Sequence, residues 1–194
     1  MLERRKKVAL VTGASSGMGK AFAERLLKDG YRVYVAARGV DRMADLAALG
    51  ATPIAMDISK EADIVAAARR ITAEAGGVDV LVNNAGFGLY GAIEDIGLDE
   101  ARYQFEVNLF GVARLTQLLL PEMRKRREGR IVNISSMGGK VYTPLGAWYH
   151  ATKIAYLLGY QDIASFYRAF REWEGVSPGR WREQNPQPPD QSAH

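Results

Sequence analysis

The chain has 194 residues, of which 47% are hydrophobic and 25% charged, a composition typical of a globular domain with one sizeable core. It contains no cysteine and two histidines, which excludes disulfides and thiolate metal sites and leads us to expect no metal centre. The net charge is +4, but the sequence contains no nucleic-acid-binding motif, so we expect no nucleic-acid partner. No apolar run approaches the ~20 residues of a membrane span, and the charged start lacks the apolar core of a signal peptide. We therefore expect a cytoplasmic protein without a membrane partner.

In chain order, predicted strands and helices alternate. Short apolar runs predict strands at 8–11, 32–36, 52–56, 78–82 and 130–134. Helical patterns lie at 20–28, after a cap at Asp41, from a cap at Ser59 to about 75, over about 99–126, and around Tyr149. Continuous apolar strands that alternate with helices predict an α/β fold, in which a doubly wound parallel sheet forms the middle of three layers. Ligands of such sheets bind at the carboxyl ends of the strands.

A glycine-rich turn follows the first predicted strand. Residues 12–19 read T-G-A-S-S-G-M-G, with the spacing G-x-x-x-G-x-G. Glycines let the backbone approach a pyrophosphate, and the helix that follows offers N–H groups and the positive end of its dipole. The turn does not match the G-x-G-x-x-G fingerprint. A P-loop is disfavoured too, because Gly19-Lys20 comes one residue late and Ala21 has no hydroxyl for magnesium.

Tyr149 and Lys153 stand four residues apart. On a helix, positions i and i+4 share a face, so a phenol and an ammonium would point in the same direction. A neighbouring cation favours a phenolate, and a tyrosine tuned in this way can act as a general acid or base. Taken alone, the same spacing also fits an ordinary surface helix.

These features together resemble the classical short-chain dehydrogenases/reductases (SDR) over about residues 6–155. The resemblance rests on the glycine turn, Asn83-Asn84-Ala85-Gly86, Asn108, Ser136, and Tyr149 with Lys153, in that order. Tyr149 follows Ser136 by 13 residues, the usual separation in the family. The resemblance implies a Rossmann-like fold and an oxidoreductase that transfers a hydride between NADP(H) and an alcohol or carbonyl substrate. It also implies a homodimer formed through the long helix and the helix of Tyr149.

The resemblance implies four catalytic residues. Tyr149 would exchange a proton with the substrate oxygen, and Lys153 would favour the phenolate and hold the nicotinamide ribose. Ser136 would hydrogen-bond the same substrate oxygen, with Ser135 as a rival that the spacing disfavours. Asn108 would open the long helix locally and anchor a water that relays protons to Lys153, whereas its plainer interpretation is a surface position on that helix.

The cofactor site implied by the resemblance spans several strand ends. Asn83 to Gly86 would form one wall of the adenine-ribose pocket and brace the sheet, and Asp57 would accept a hydrogen bond from the adenine amine. The full implied set is Thr12, Gly13, Ser15, Ser16, Gly17, Met18, Gly19, Arg38, Asp57, Ile58, Asn83, Ala85, Gly86, Tyr149 and Lys153.

Cofactor preference is predicted from the end of the second strand. Ala37 occupies the position where NAD-preferring enzymes carry a carboxylate. Arg38 comes next, and its planar set of donors suits a ribose 2′-phosphate. We therefore expect NADP(H) to be favoured over NAD(H). The alternative is that Arg38 is an exposed arginine in a loop that also carries Arg42.

The apolar side chains expected near the substrate suggest an apolar carbonyl or alcohol, although ordinary packing explains each of them equally well. They are Phe87, Leu89, Tyr90, Met137, Val141, Tyr142 and Trp148.

The sequence departs from the family after Lys153. Pro178-Gly179 stands near a place where the family has such a pair, but few apolar residues precede it and Arg180-Trp181-Arg182 follows. We therefore expect a dinucleotide-binding catalytic domain at 1–155 and an atypical tail at 156–194, partly helical and then disordered. A truncation or frame shift would explain this tail and would leave the sheet without its last one or two strands. The alternative function is a non-catalytic remnant that binds only cofactor or a partner subunit.

Overall fold

The computed structural model describes residues 5–160, with side chains up to residue 155. Within this range the strands are β1 Val8–Thr12, β2 Arg32–Ala37, β3 Thr52–Ala55, β4 Val80–Asn83 and β5 Arg130–Asn133. The α-helices are α1 Gly17–Lys28, α2 Ala44–Ala48, α3 Glu61–Ala75, α4 Leu98–Phe105, α5 Gly111–Arg126 and α6 Ala147–Tyr160. Short 3-10 turns occupy Asp41–Met43 and Met137–Gly139, and a π-helical turn at Glu106–Phe110 joins α4 to α5.

The five strands form one parallel sheet in the order β3-β2-β1-β4-β5. The order reverses at β1, because the chain first moves outward to β3 and then returns across the sheet to β4. Right-handed crossovers therefore place α1 and α2 on one face and α3 to α5 on the other. This confirms the predicted doubly wound, three-layer fold. The reversal at β1 is also the kind of point where such sheets bind ligands.

Alternate side chains of β1 and β2 serve the two faces. Ala9, Val11, Val33 and Val35 are fully buried and belong to a core cluster that also contains Met43, Leu46 and Ala23. Between Val33 and Val35, Tyr34 is equally buried but faces the other layer, where its hydroxyl donates to Glu74 Oε2 on α3 at 2.9 Å. This alternation explains why the strands read as continuous apolar runs, since both faces of the sheet are covered.

Asp79 holds together the amino ends of the strands, which lie opposite the glycine turn. Its carboxylate is 3% exposed and accepts from the backbone N–H of Val8 at 2.7 Å and from Arg5 Nη2 at 2.6 Å. Arg126 Nη2 at the end of α5 lies 3.3 Å from the same carboxylate. One acidic side chain therefore connects the starts of β1 and β4 with the last turn of α5.

Two predicted helix caps are wrong. α3 begins at Glu61 with Lys60 as its N-cap, while the hydroxyl and N–H of Ser59 donate to Asp57 Oδ1 at 2.7 and 3.0 Å. The local turn with Asp57 therefore competes successfully for Ser59. Asp41 lies inside a 3-10 turn instead of capping α2, whose N-cap is Met43.

Other element boundaries also differ from those predicted. All five strands differ from the prediction by one or two residues at an end, which is the usual uncertainty of such boundaries. α1 begins at Gly17, inside the predicted glycine turn. The predicted long helix is interrupted by the π-helical turn at Glu106–Phe110.

The expectations for residues 161–194, including disorder and missing strands, lie outside the described residues, and the proposed division at residue 155 stays a prediction. Among the helices of residues 5–160, none is long and apolar enough to cross a membrane.

Candidate active site

The glycine turn between β1 and α1 depends on backbone that only glycine adopts easily. Gly13 and Gly17 have positive φ angles of 65° and 56°. Gly19 is needed for a different reason, because a Cβ there would stand 2.5 Å from both Gly13 O and Asn84 Nδ2. Ser16 caps α1 without a side-chain hydrogen bond to the first turn. The first N–H groups of this helix therefore have no side-chain acceptor at the N-cap, as an anion site at a helix N-terminus requires.

The residues after β4 brace this turn from the neighbouring strand. Thr12 Oγ1 accepts from the backbone N–H groups of Asn84 and Ala85, both at 3.0 Å. In return, Asn84 Nδ2 donates to Thr12 O at 3.0 Å and to Gly13 O at 3.2 Å. The ends of β1 and β4 are therefore tied together at the glycine turn.

Asn83 is directed away from the turn. Its side chain is 1% exposed and donates to Asn133 Oδ1 on β5 at 2.9 Å and to Thr116 Oγ1 on α5 at 3.2 Å. The expected bracing of the sheet by this residue is observed, whereas its contact with a cofactor stays a prediction.

A cavity of about 470 Å³ opens at the carboxyl ends of the strands. The predicted cofactor residues that line it are Gly13, Ser15, Ser16, Arg38, Asp57, Ile58, Ala85 and Gly86. Thr12, Gly17, Met18 and Gly19 belong to the turn and its support instead of the lining, and Met18 is largely exposed. The parallel sheet therefore gathers residues from four separate strand ends at one site.

The same cavity includes residues that were not predicted as part of the site. Ala36, Gly39 and Met56 flank predicted positions along the chain, and Tyr103 and Val107 come from α4 and the π-helical turn. Tyr103 and Val107 are four residues apart and so share a helical face, but nothing in the sequence indicates that this face meets β2. Ala37, Arg42 and Phe87, which the sequence suggested in other roles, also line the cavity.

Two arginines in the segment after β2 give the cavity a cationic corner. Arg38 Nη1 donates to the Tyr103 hydroxyl at 3.1 Å, and Arg42 Nη2 donates to Ser15 Oγ at 3.2 Å. Because Ser15 belongs to the glycine turn, Arg42 links the two loops that surround this corner. The arginine pair is suited to an anionic group next to the turn.

Asp57 lies across the cavity from the turn residues as a fixed carboxylate. Partial burial by itself would raise the pKa of Asp57, but the hydrogen bonds from Ser59 and the charges of Lys60 and Arg38 outweigh it and lower the pKa. Asp57 is therefore held in its ionised, hydrogen-bond-accepting form.

Tyr149 and Lys153 share one face of α6, as their spacing predicts. Lys153 Nζ lies 5.8 Å from the centroid of the Tyr149 ring and donates to Ile134 O at 3.5 Å. The side chain of Lys153 is buried, and this burial lowers the pKa of its ammonium. Gly86 connects the pair to the cavity, since it lines the cavity and a Cβ at Gly86 would lie 3.7 Å from Lys153 Nζ.

The ring of Tyr149 is flanked by two glycines. A Cβ at Gly88 would lie 3.5 Å from Cδ2 of the ring, and a Cβ at Gly138 would lie 3.0 Å from Cε1. Backbone therefore approaches both edges of the phenol ring. The ring of Tyr90 lies next to it, with centroids 5.4 Å apart.

Asn108 lies in the π-helical turn, where the predicted local opening of the long helix is found. Its Nδ2 donates to Phe87 O at 2.9 Å and to Thr152 Oγ1 at 3.0 Å, and its Oδ1 accepts from Phe87 N at 3.0 Å. A π-turn inside a helix is often found at functional sites. Asn108 here connects the loop after β4 with α6, and its water-anchoring role stays a prediction.

Two serines follow β5 at the same end of the sheet. Ser136 caps the 3-10 turn, and its Oγ accepts from Gly138 N at 3.1 Å. Ser135 Oγ is buried and has no hydrogen-bond partner in the described part of the chain.

Among the residues that the structure describes, no group of three or more histidine, aspartate or glutamate side chains is arranged to hold a metal.

A family profile described as short chain dehydrogenase matches residues 7–168. The chain belongs to the short-chain dehydrogenase family. It is 38% identical over 156 residues to a 3-ketodihydrosphingosine reductase of Bacteroides thetaiotaomicron, a match that covers 80% of this chain and 56% of the relative.

Solved structures of the family share the fold. A short-chain dehydrogenase from Streptomyces avermitilis is 45% identical with a TM-score of 0.76, over 80% of this chain and 58% of that one. A metagenomic short-chain oxidoreductase solved in complex with NADP is 35% identical with a TM-score of 0.74, over 86% of this chain and 77% of that one. The chain covers 56% of the 3-ketodihydrosphingosine reductase, which is less than two thirds of the length of that relative.

Proposed function

We propose that this chain is an oxidoreductase that transfers a hydride between NADP(H) and an alcohol or carbonyl substrate. The observation that carries the proposal is the position of Tyr149 and Lys153 on one face of α6, next to Gly86 of the strand-end cavity. An acid/base residue beside a cofactor cavity is the arrangement that such a reaction requires.

The residues around the cavity suit a dinucleotide. The close approach at Gly13 and Gly19 and the N-terminus of α1 would receive the pyrophosphate. Asp57 and Ile58 would border the adenine, and Lys153 would hold the nicotinamide ribose. These groups provide hydrogen-bond donors and the cavity provides open space, so the chemistry of the lining residues fits a dinucleotide.

Preference for NADP(H) over NAD(H) is part of the proposal. Arg38 and Arg42 both line the cavity, and the neutral Ala37 stands beside them. Two guanidinium groups would neutralise much of a ribose 2′-phosphate, which NAD(H) lacks. The relative solved with NADP supports this preference by similarity.

Ser136 and Tyr149 would then act on the substrate oxygen, and Lys153 and Asn108 would support them. The bound nicotinamide supplies or accepts the hydride. Ser136 Oγ already accepts from Gly138 N, so its hydroxyl hydrogen remains to donate to the substrate oxygen and stabilise the charge that develops there. Tyr149 exchanges a proton with the same oxygen, and the ammonium of Lys153 favours its phenolate. Asn108 maintains the opening in the helix and anchors the water that relays protons to Lys153.

The substrate class that we propose is an apolar ketone or the corresponding alcohol. Met137, Val141 and Tyr142, in the segment that follows Ser136, are exposed, and the exposed Tyr90 has its ring centroid 5.4 Å from that of Tyr149. Exposed apolar side chains that cluster beside polar catalytic groups commonly receive apolar ligands. The relative from Bacteroides thetaiotaomicron, by its name, reduces 3-ketodihydrosphingosine, which is a ketone.

A homodimer also belongs to this proposal. Phe110 and Ile154 are exposed apolar residues at the two elements that the family resemblance implies as the interface. Light scattering of the purified chain across a range of concentrations tests this directly, and a monomer at every concentration would reject it.

The test of function is NADPH oxidation with 3-ketodihydrosphingosine and a set of shorter apolar ketones. We expect Tyr149→Phe to lower turnover by at least ~100-fold while the NADPH dissociation constant stays within about twofold, because only the proton-transfer group is lost. Tyr31→Phe is the matched control, because Tyr31 precedes β2 and does not line the cavity, and it should retain most of the activity. Equal rates in Tyr149→Phe and the wild type would remove Tyr149 from the mechanism, and NADPH binding without turnover of any ketone would favour the non-catalytic alternative.

A further inference from the structure

His150, the residue after Tyr149, is a polar side chain with only 7% exposure and a hydrogen bond at each ring nitrogen. Nδ1 lies 2.7 Å from Gly138 O, and Nε2 lies 3.0 Å from both the backbone N and the hydroxyl of Thr143. The imidazole therefore connects α6 to two points of the segment between Ser136 and the helix. Nothing in the family reaction described above uses this residue.

The partners of His150 determine its protonation. The backbone N–H of Thr143 can only donate, so Nε2 must accept and carry no proton. The carbonyl of Gly138 can only accept, so Nδ1 must carry the proton. One neutral tautomer satisfies both contacts, whereas the other tautomer and the imidazolium ion would each point an N–H at the N–H of Thr143.

Two glycines make room for the ring. A Cβ at Gly138 would lie 2.9 Å from Nδ1, and a Cβ at Gly146 would collide with Nε2 and Cδ2. Real Cβ atoms do not approach other atoms this closely, so both positions exclude side chains while the imidazole is in place. Gly138 and Gly146 are therefore glycines for a packing reason, since each leaves room for the imidazole.

Gly138 connects His150 to the reaction centre. Its N–H donates to Ser136 Oγ at 3.1 Å, its carbonyl accepts from His150, and a Cβ there would lie 3.0 Å from the Tyr149 ring. We propose that His150 is a positioning residue that acts through Gly138 to fix the Ser136 hydroxyl relative to the Tyr149 phenol. This inference deepens the proposed function and rests on it, because the purpose of the alignment is to hold two groups against one substrate oxygen.

The first test is independent of activity. Long-range proton–nitrogen correlation spectra of the ¹⁵N-labelled full chain report the tautomer of each of its two histidines. The signals that disappear in His150→Asn identify His150. We expect a neutral ring with the proton on Nδ1 and a bare Nε2. A ring protonated on Nε2, or a mixture of tautomers, would overturn the proposal.

The second test uses two variants that each keep one half of the contact. Asn at position 150 can keep a donor near the position of Nδ1 and so retain the bond to Gly138. Gln can place an acceptor near the position of Nε2 but leaves Gly138 O without its donor. We expect the Gly138 amide to exchange at least ~10-fold faster in His150→Gln than in the wild type, and His150→Asn to restore most of the protection.

Kinetics then separate positioning from simple stability. With the ketone that the wild type reduces best, we expect His150→Gln to lose about tenfold in kcat and equally in kcat/KM, with an unchanged dissociation constant for NADPH. His150→Asn should recover most of that loss. Equal amide exchange or equal kinetics in the two variants would overturn the proposal. A wild type that reduces no ketone would reject the proposed function instead, while the tautomer and the Gly138 exchange would still decide the role of His150.

Discussion

Lys153 Nζ lies 5.8 Å from the centre of the Tyr149 ring on the same face of α6, and the Lys153 side chain is buried. This position is useful for proton transfer but unfavourable for the lysine itself, because burial penalises its charged form and lowers its pKa. If Lys153 is held there for the proton transfer that we propose, it is expected to reduce the stability of the fold that carries it.

The first prediction concerns this cost. The pKa of Lys153 in the folded chain lies below the value of about 10.4 for an unfolded lysine. Between those two values the unfolded chain binds more protons, so this group makes the free energy of unfolding rise with pH there. Below the folded pKa the cost is present in full. We expect Lys153→Met to be more stable than the wild type at about pH 7, with a difference that shrinks toward pH ~10, measured by urea unfolding.

Lys140→Met is the matched control, because that lysine is exposed. It should show no comparable gain at neutral pH and no comparable pH dependence. A Lys153→Met chain that is less stable than the wild type at neutral pH would show that the contacts of Lys153 outweigh its burial.

The second prediction separates the two reasons for glycine in the turn. Gly19→Ala places a Cβ against Gly13 O and Asn84 Nδ2, so we expect a loss of about 1–3 kcal/mol in unfolding free energy and weaker binding of NADPH. Gly17→Ala meets no atom within 4 Å and has only its positive φ to accommodate, which costs about 1–2 kcal/mol. Calorimetry and NADPH titration of both variants measure this. If NADPH binds equally well to Gly19→Ala and the wild type, the close approach has no role in cofactor binding.

The third prediction concerns Asp79, at the amino ends of the strands and far from the cavity. Asp79→Asn removes the charge that Arg5 and Arg126 share, in a nearly fully buried position. We expect a loss of about 2 kcal/mol in unfolding free energy, because buried acceptors bonded to cations contribute more than exposed ones. Asp99→Asn breaks an ion pair with Arg102 in which Asp99 is 98% exposed, and it should change stability by less than about 1 kcal/mol. Similar losses in both variants would mean that burial does not strengthen the Asp79 contacts.

What the sequence predicted well depends on local pattern. β1 and β2 are buried on both faces, so apolar runs such as Val8–Val11 identify them directly. The turn around Gly13 carries its own signature in its spacing, and Tyr149 and Lys153 need only a helix to meet. The fold and the position of the candidate site at the strand ends follow from these features.

What the sequence missed depends on tertiary packing or on local competition. Tyr103 meets Arg38 across 65 positions of the chain, and no periodicity indicates that contact. His150 reads as an ordinary residue beside a tyrosine until the fold brings Gly138 and Thr143 to it. Ser59 carries a helix-cap signal, but its hydroxyl donates to Asp57, two residues before it, because this local side-chain turn competes with helix capping.

The most direct test of the account is thermal unfolding of the purified chain with NADPH, with NADH, and with neither, in the wild type, Arg38→Ala and Arg69→Ala. A ligand that binds only the folded chain raises the transition temperature. We expect NADPH to raise it more than NADH in the wild type and in Arg69→Ala, a control at an exposed position of α3. Arg38→Ala should lose most of that advantage, through NADPH binding about 10- to 100-fold weaker, while its response to NADH stays the same. No shift with either cofactor, or equal shifts that Arg38→Ala leaves unchanged, would contradict the proposed NADP(H) site.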